Sequence, residues 1–339
     1  MSMAVIQNPL APPSAAEALV FFYSTPHENV VNLGVRRPTL LSDAEASPYR
    51  DYNTETHVDV VPSAGLEIAF YNGAPRVFGF TKAEPDDDSD HELGSDKAEE
   101  AGKPTTYRRL TQLSPTVTPI DARNSDSVAI FTNALTSVYD RKNAYLFAIR
   151  LIDGKDDEVD LVYYTLTATN AYAKVYSLRA RWDTQLAAII TPTGEHRFFY
   201  QPDANTIRYR DVEQDDFNDV PGVDAWENTP IAVTHSYDSE GKVNPKYLYL
   251  YYVEQKNNRV HRTRYEYEKK VDREEDKWDK APLQLDTREI KEPWRWIKVI
   301  PFDDEKNVAF FFDHENTLYK LEDYLSNAPA RVVPVKPDN

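Results

Sequence analysis

Six short runs of aromatic and β-branched residues recur along this chain at nearly even intervals. That recurrence limits the folds open to the chain more than any other feature. The runs are Ala18–Tyr23, Leu66–Tyr71, Ala144–Ile152, His196–Gln201, Lys246–Val253 and Val308–Phe312. Several lead through a turn rich in Asn, Asp or Gly into a second strand-like run, as in PDANTIRYRDV (202–212), EQKNNRVHRTRYEYE (254–268) and DHENTLYKLEDY (313–324). With residues 22, 70, 147, 199, 251 and 311 as landmarks, the spacings are 48, 77, 52, 52 and 60. The long interval contains an acidic segment, 84–104, and shortens to 56 without it. Helical periodicity is scarce, and strand–turn–strand units repeating every 40–60 residues mark propeller blades. Each unit has an apolar face that only its neighbours can cover, so the expected fold is an all-β, six-bladed β-propeller formed by residues 1–339 as a single domain. Phe199, Tyr251 and Phe311 are expected at equivalent core places in successive blades. A β-sandwich with long irregular strands is the alternative.

Composition agrees with sheet. The 22 Tyr and 14 Phe among 339 residues favour pleated, half-buried surfaces. The formal net charge of −17 makes nucleic acid and anionic membrane poor partners. Segment 84–104 holds nine Asp or Glu against two Lys, so it reads as a solvated surface loop outside the blades. Asp86, Asp87 and Asp90 spell the magnesium-binding pattern of terpene cyclases, but that chemistry needs the carboxylates on a helix lining an apolar pocket. The chain lacks cysteine, a visible secretory signal and any run of 18 apolar residues. The expected location is cytoplasmic, or outside the cell by a route without a signal peptide.

Segment 184–210 carries a more specific signal. Leu186–Ile189, then Arg197-Phe198-Phe199-Tyr200-Gln201, then Asn205-Thr206-Ile207-Arg208 resemble one blade of the fungal fucose-specific lectins. The stretch 246–278, ending at Trp278, and the stretch 308–320 resemble further blades. The resemblance is clear over roughly 180–325 and weaker over 15–170. It implies the six-bladed propeller fold, with fucose held between blades by an Arg, a Glu and an aromatic residue. Arg and Glu would present a polar fork to vicinal hydroxyls, and the aromatic face would cover the methyl side of the sugar. This chain departs from the triad. Arg197 is kept, but Tyr209 falls at the Glu position. In the next blade Tyr249 and Arg262 replace Arg and Glu, while Trp278 is kept. In the last blade the two positions read Ala309 and Lys320. These changes point away from neutral fucose, toward a ligand of more aromatic or anionic character.

Nucleophile, phosphate-loop and dinucleotide motifs are missing. His27, His91 and His314 each precede Glu, but none begins a complete H-E-x-x-H, so no metal site is expected and no cofactor is implied. Two features admit two readings each. Arg259, His261, Arg262 and Arg264 either bind an anion or pair with the acidic run 272–276. Trp294 and Trp296, two apart on a strand, either form an aromatic wall or pack as core. The leading function is a lectin-like binding protein, with a glycan or small aromatic or acidic ligand between blades. Arg197, Tyr209, Tyr249, Arg262, Trp278, Trp294 and Trp296 are its candidate site residues. The alternatives are a specialised-metabolism enzyme of cyclase or isomerase type and an interaction scaffold. Self-association as a homodimer stays open.

Overall fold

The computed structural model describes residues 3–7, 19–27, 30–36, 52–54, 60–61, 65–84, 104–124, 127–140, 142–152, 155, 158–203, 205–237, 243–285, 296–302, 305–312, 318–326 and 331–334. These residues form six antiparallel sheets, each with its strands in sequence order. The first contains Met3–Gln7, Leu19–His27, Val30–Arg36 and Tyr52–Thr54. The second contains Glu67–Tyr71, Ala74–Lys82, Arg108–Ser114 and Thr118–Pro119, with Val128–Ala129 paired beside the third strand. The third contains Phe131–Tyr139, Ala144–Leu151, Glu158–Leu166 and Ala171–Arg179. The fourth contains Ala187–Ile190, His196–Tyr200, Arg208–Asp211 and Asn218–Asp219. The fifth contains Ala232–Tyr237, Val243–Val253, Val260–Glu266 and Leu283–Gln284. The sixth contains Trp296–Pro301, Lys306–Phe312, Leu318–Tyr324 and Arg331–Pro334.

The chain divides into two compact units, one of Met1–Ile6 with Leu19–Asp183 and one of Gln7–Ala18 with Thr184–Asn339. The acidic stretch 85–103 lies outside the described residues, as do Asp86, Asp87 and Asp90. The described residues on either side of it form a hairpin pair, where Lys82 pairs with Arg108 and the Ala83 N–H donates to the Tyr107 carbonyl.

The fifth sheet shows why the apolar runs are continuous rather than alternating. Leu248, Leu250 and Tyr252 pack with Phe199, Ile207 and Tyr209 of the fourth sheet. Tyr249, Tyr251 and Val253 point the other way, toward Ile297, Ala309 and Phe311 of the sixth. A strand buried on both faces needs apolar residues at every position. Phe199 and Tyr251 are equivalent, each facing the sheet that follows, whereas Phe311 lies on the opposite face of its sheet and points back toward the fifth, so the expected equivalence holds for two of the three. Each is fully buried, with first-strand partners Ala187, Ala232 and Ile297 and third-strand partners Tyr209, Arg262 and Tyr319. Phe199→Ala is expected to cost about 3–5 kcal/mol, the range for emptying a buried aromatic site. An unchanged urea midpoint would show that this ring contributes no packing.

The second sheet differs from its landmark. Phe70 lies on the first strand, not the second, because Asn72 (φ 51°) and Gly73 (φ 78°) turn the chain immediately afterwards. Two successive residues with positive φ give the tight hairpin turn that Asn-Gly favours. The fourth strands also differ between sheets. Five have two to four residues, whereas the third sheet ends in nine, Ala171–Arg179. Arg123 bridges that strand at Tyr172.

Candidate functional site

In the second unit, the fourth and fifth sheets border a cleft of about 440 Å³. Its rim on the fourth-sheet side is the turn Thr191–Glu195. Gly194 takes φ 86° there, and the Thr191 carbonyl accepts its N–H at 2.9 Å. Thr193 Oγ1 donates to Glu195 Oε2 at 2.9 Å. The strand leaving this turn carries Arg197, and the neighbouring strand places Asp211 directly opposite. The carboxylate accepts from Nε at 2.8 Å and Nη2 at 2.9 Å, and both side chains are buried. The guanidinium lies 4.8 Å from the centre of the Tyr209 ring and 5.3 Å from that of Tyr265. Its third nitrogen, Nη1, is buried and makes no hydrogen bond. Burial disfavours the charge on Arg197, but the Asp211 carboxylate outweighs it and holds the pKa above the ordinary arginine value.

The fifth sheet supplies the facing wall. Tyr265 and Tyr267 meet edge to face, with ring centres 5.0 Å apart. The Tyr265 hydroxyl donates to Glu274, which also accepts from Lys277 at 3.0 Å. The Tyr267 hydroxyl pairs with His235 Nε2 at 3.2 Å. Burial raises the pKa of both tyrosines, so both stay neutral and able to donate. Burial also lowers the pKa of His235 to about 4, so its ring is neutral near pH 7.

The sequence-derived site residues fall into separate places. Arg197 lines this cleft. Tyr209 and Trp278 sit behind it, 1% and 2% exposed, and Trp278 packs on Tyr265 with ring centres 5.2 Å apart. Tyr249 and Arg262 belong to a second cluster, on the face toward the sixth sheet. There Arg262 Nη1 donates to both oxygens of Asp323, at 2.8 and 2.9 Å. The Tyr251 hydroxyl donates to Asp323 at 2.6 Å, and Asn307 Nδ2 donates to that hydroxyl at 2.8 Å. The guanidinium lies 5.4 Å from the centre of the Tyr249 ring. Trp296 is half-buried on the first strand of the sixth sheet, opposite Phe312. Trp294 lies outside the described residues.

Two expectations change with this geometry. Arg197 has not lost its acid: Asp211 supplies one, two residues beyond Tyr209. The charge of Arg262 is likewise balanced, by Asp323. The acidic run 272–276 is not its partner, and Arg264 pairs with Asp279 at 3.2 Å. Sequence reasoning missed Asp211, Tyr265, Tyr267 and Glu274. Asp211 was accessible by counting outward from the turn, since pairing Phe199 with Tyr209 puts Arg197 opposite Asp211. Among the described residues, no three His, Asp or Glu side chains converge in a way that could hold a metal ion.

Six sheets of consecutive antiparallel strands define the class as a six-bladed β-propeller. Solved structures match the chain almost end to end. The fucose-specific lectin from Aleuria aurantia, reported as a six-bladed β-propeller, is similar with TM-score 0.59 and 13% identity, covering 99% of this chain and 96% of its own. AofleA from Arthrobotrys oligospora is similar with TM-score 0.57 and 10% identity, covering 98% and 86%. BP39L lectin from Burkholderia pseudomallei is similar with TM-score 0.53 and 8% identity, covering 98% of each chain. At these identities the likeness is one of fold. No protein-family model and no curated protein sequence matches the chain.

Proposed function

We propose that this chain is a lectin-like binding protein that takes a hydroxylated ligand, a carbohydrate, in the cleft between the fourth and fifth sheets. The observation that carries this reading is Arg197. Asp211 fixes its orientation and neutralises it, and Nη1 is left as a buried donor without a partner. A ligand hydroxyl or ring oxygen would satisfy that donor, and a buried donor left unmade costs about 1–3 kcal/mol. Tyr265, Tyr267 and Glu274 add hydroxyl and carboxylate groups beside an aromatic surface, the mixture that a sugar's polar edge and apolar face require. The Arg197–Asp211 pair removes the reason to favour an anionic ligand, because the cation is already matched. The fold adds support: Aleuria aurantia lectin has been solved with Fucα1-6GlcNAc.

Titration calorimetry with a panel of neutral glycosides, fucosides included, and acidic glycosides tests the proposal. A neutral glycoside should bind the native chain. Arg197→Ala should weaken it by at least about tenfold, the effect of losing one charge-assisted hydrogen bond. Binding that survives Arg197→Ala unchanged would place the ligand elsewhere.

A further inference from the structure

The first unit holds a buried arginine in a different state. Arg108 opens the third strand of the second sheet and is 7% exposed. Its Nη1 donates to the Thr132 carbonyl at 3.0 Å and to Asn133 Oδ1 at 2.8 Å, and both acceptors are neutral. These bonds fix the plane of the guanidinium and leave the edge formed by Nε and Nη2. Nε is buried without a hydrogen-bond partner.

At three other arginines of this chain, that edge meets a carboxylate. Arg150 uses Nε and Nη2 toward Asp160, at 3.2 and 2.7 Å. Arg181 uses them toward Asp183, both at 2.9 Å. Arg197 uses them toward Asp211, at 2.8 and 2.9 Å. At Arg108, no carboxylate among the described residues stands there. Burial alone acts on its pKa, lowering it to about 10. Lys82 lies directly opposite on the neighbouring strand, which puts a second cation on the same face. A desolvated cation without a counter-charge is unfavourable, and a guanidinium edge with two parallel N–H groups matches two oxygens of one anion.

We propose that Arg108, oriented by Thr132 and Asn133, forms a site for a small oxyanion, a carboxylate or a phosphate, that lays two oxygens along the Nε–Nη2 edge. The site is independent of the cleft at Arg197 and does not rest on the lectin-like reading.

The test uses the full chain labelled with ¹⁵N-arginine. Inorganic phosphate and acetate are titrated separately against chloride at matched ionic strength, and the arginine Nε–H resonances are followed. One resonance, absent from Arg108→Lys, should shift saturably with phosphate, acetate or both, and the more effective anion identifies the oxyanion class. The thermal midpoint should rise with the same anion. Arg108→Lys should weaken binding about tenfold, because it keeps the charge and loses the planar fork. A second variant, Arg108→Gln, should abolish the rise in midpoint. Shifts that chloride reproduces, or an affinity unchanged in Arg108→Lys, would overturn the proposal. Saturation seen only after removal of residues 85–103 would assign the edge to the chain's own carboxylates and would overturn it equally.

Discussion

Asp323→Ala is expected to lower the unfolding free energy by about 3–5 kcal/mol for breaking a buried ion pair, with about 1–3 kcal/mol more for the orphaned hydroxyl of Tyr251. Asp323 is fully buried, and it accepts from both Arg262 and Tyr251. Alanine would remove the buried carboxylate that accepts from the guanidinium at both oxygens. The double variant Arg262→Met/Asp323→Leu should recover most of the loss, because removing both charges also removes their desolvation cost. Urea denaturation of the two single variants and the double variant measures this. A loss below about 1 kcal/mol in Asp323→Ala, within the range of exposed pairs, would show that water reaches the cluster.

A second large effect concerns acid. His235 and His261 are both buried, and burial lowers each pKa from 6.5 to about 4, with Arg259 adding to the shift at His261. Between these pH values the unfolded chain binds protons that the folded chain does not, so stability falls as pH drops from 6.5 toward 4. His235 should contribute about 3 kcal/mol over that window, and His261 a smaller amount, because Glu254 beside it favours its protonated form. His235 faces the Tyr267 hydroxyl, while Glu254 lies 3.4 Å from His261. Unfolding free energies measured at intervals from pH 7 to 4 should show the slope, and His235→Gln/His261→Gln should flatten it. A native profile already flat between pH 6.5 and 4.5 would mean that the rings titrate normally.

Much of the architecture was legible because burial on both faces of a strand leaves a mark in the sequence. Tyr247 to Val253 is apolar or aromatic at every position, which marks the strand but not its facing, so Tyr251 aligns correctly with Phe199 while Phe311 proves to face Tyr251 rather than to match it. The second sheet was less legible because Asn72-Gly73 ends its first strand early, so the aromatic run there marks a different strand. The site was harder still. Trp278 reads as a ligand platform because the lectin blades it resembles carry a tryptophan there, yet it supports Tyr209 and Tyr265 from behind. The partner of Arg262 lies 61 residues away on the next sheet, a distance at which local pattern carries no information about pairing. Motif comparison fixed attention on Tyr209, although the carboxylate that serves Arg197 is two cross-strand pairs further along, on the same face.

The nine-residue border of the third sheet has a consequence for how the molecule behaves in a crowded solution. Among the described residues, the other five sheets end in strands of two to four residues, but Ala171–Arg179 offers an extended backbone, and Tyr172 and Val175 on it are each 39% exposed. Such a border can recruit any passing extended segment, and two copies of the chain could propagate a sheet across it. Arg123 occupies one end, and the exposed Lys174 and Arg179 impose a desolvation cost on whatever approaches. An apolar replacement at Lys174 or Arg179 would remove that cost and shorten the time the chain survives unaggregated.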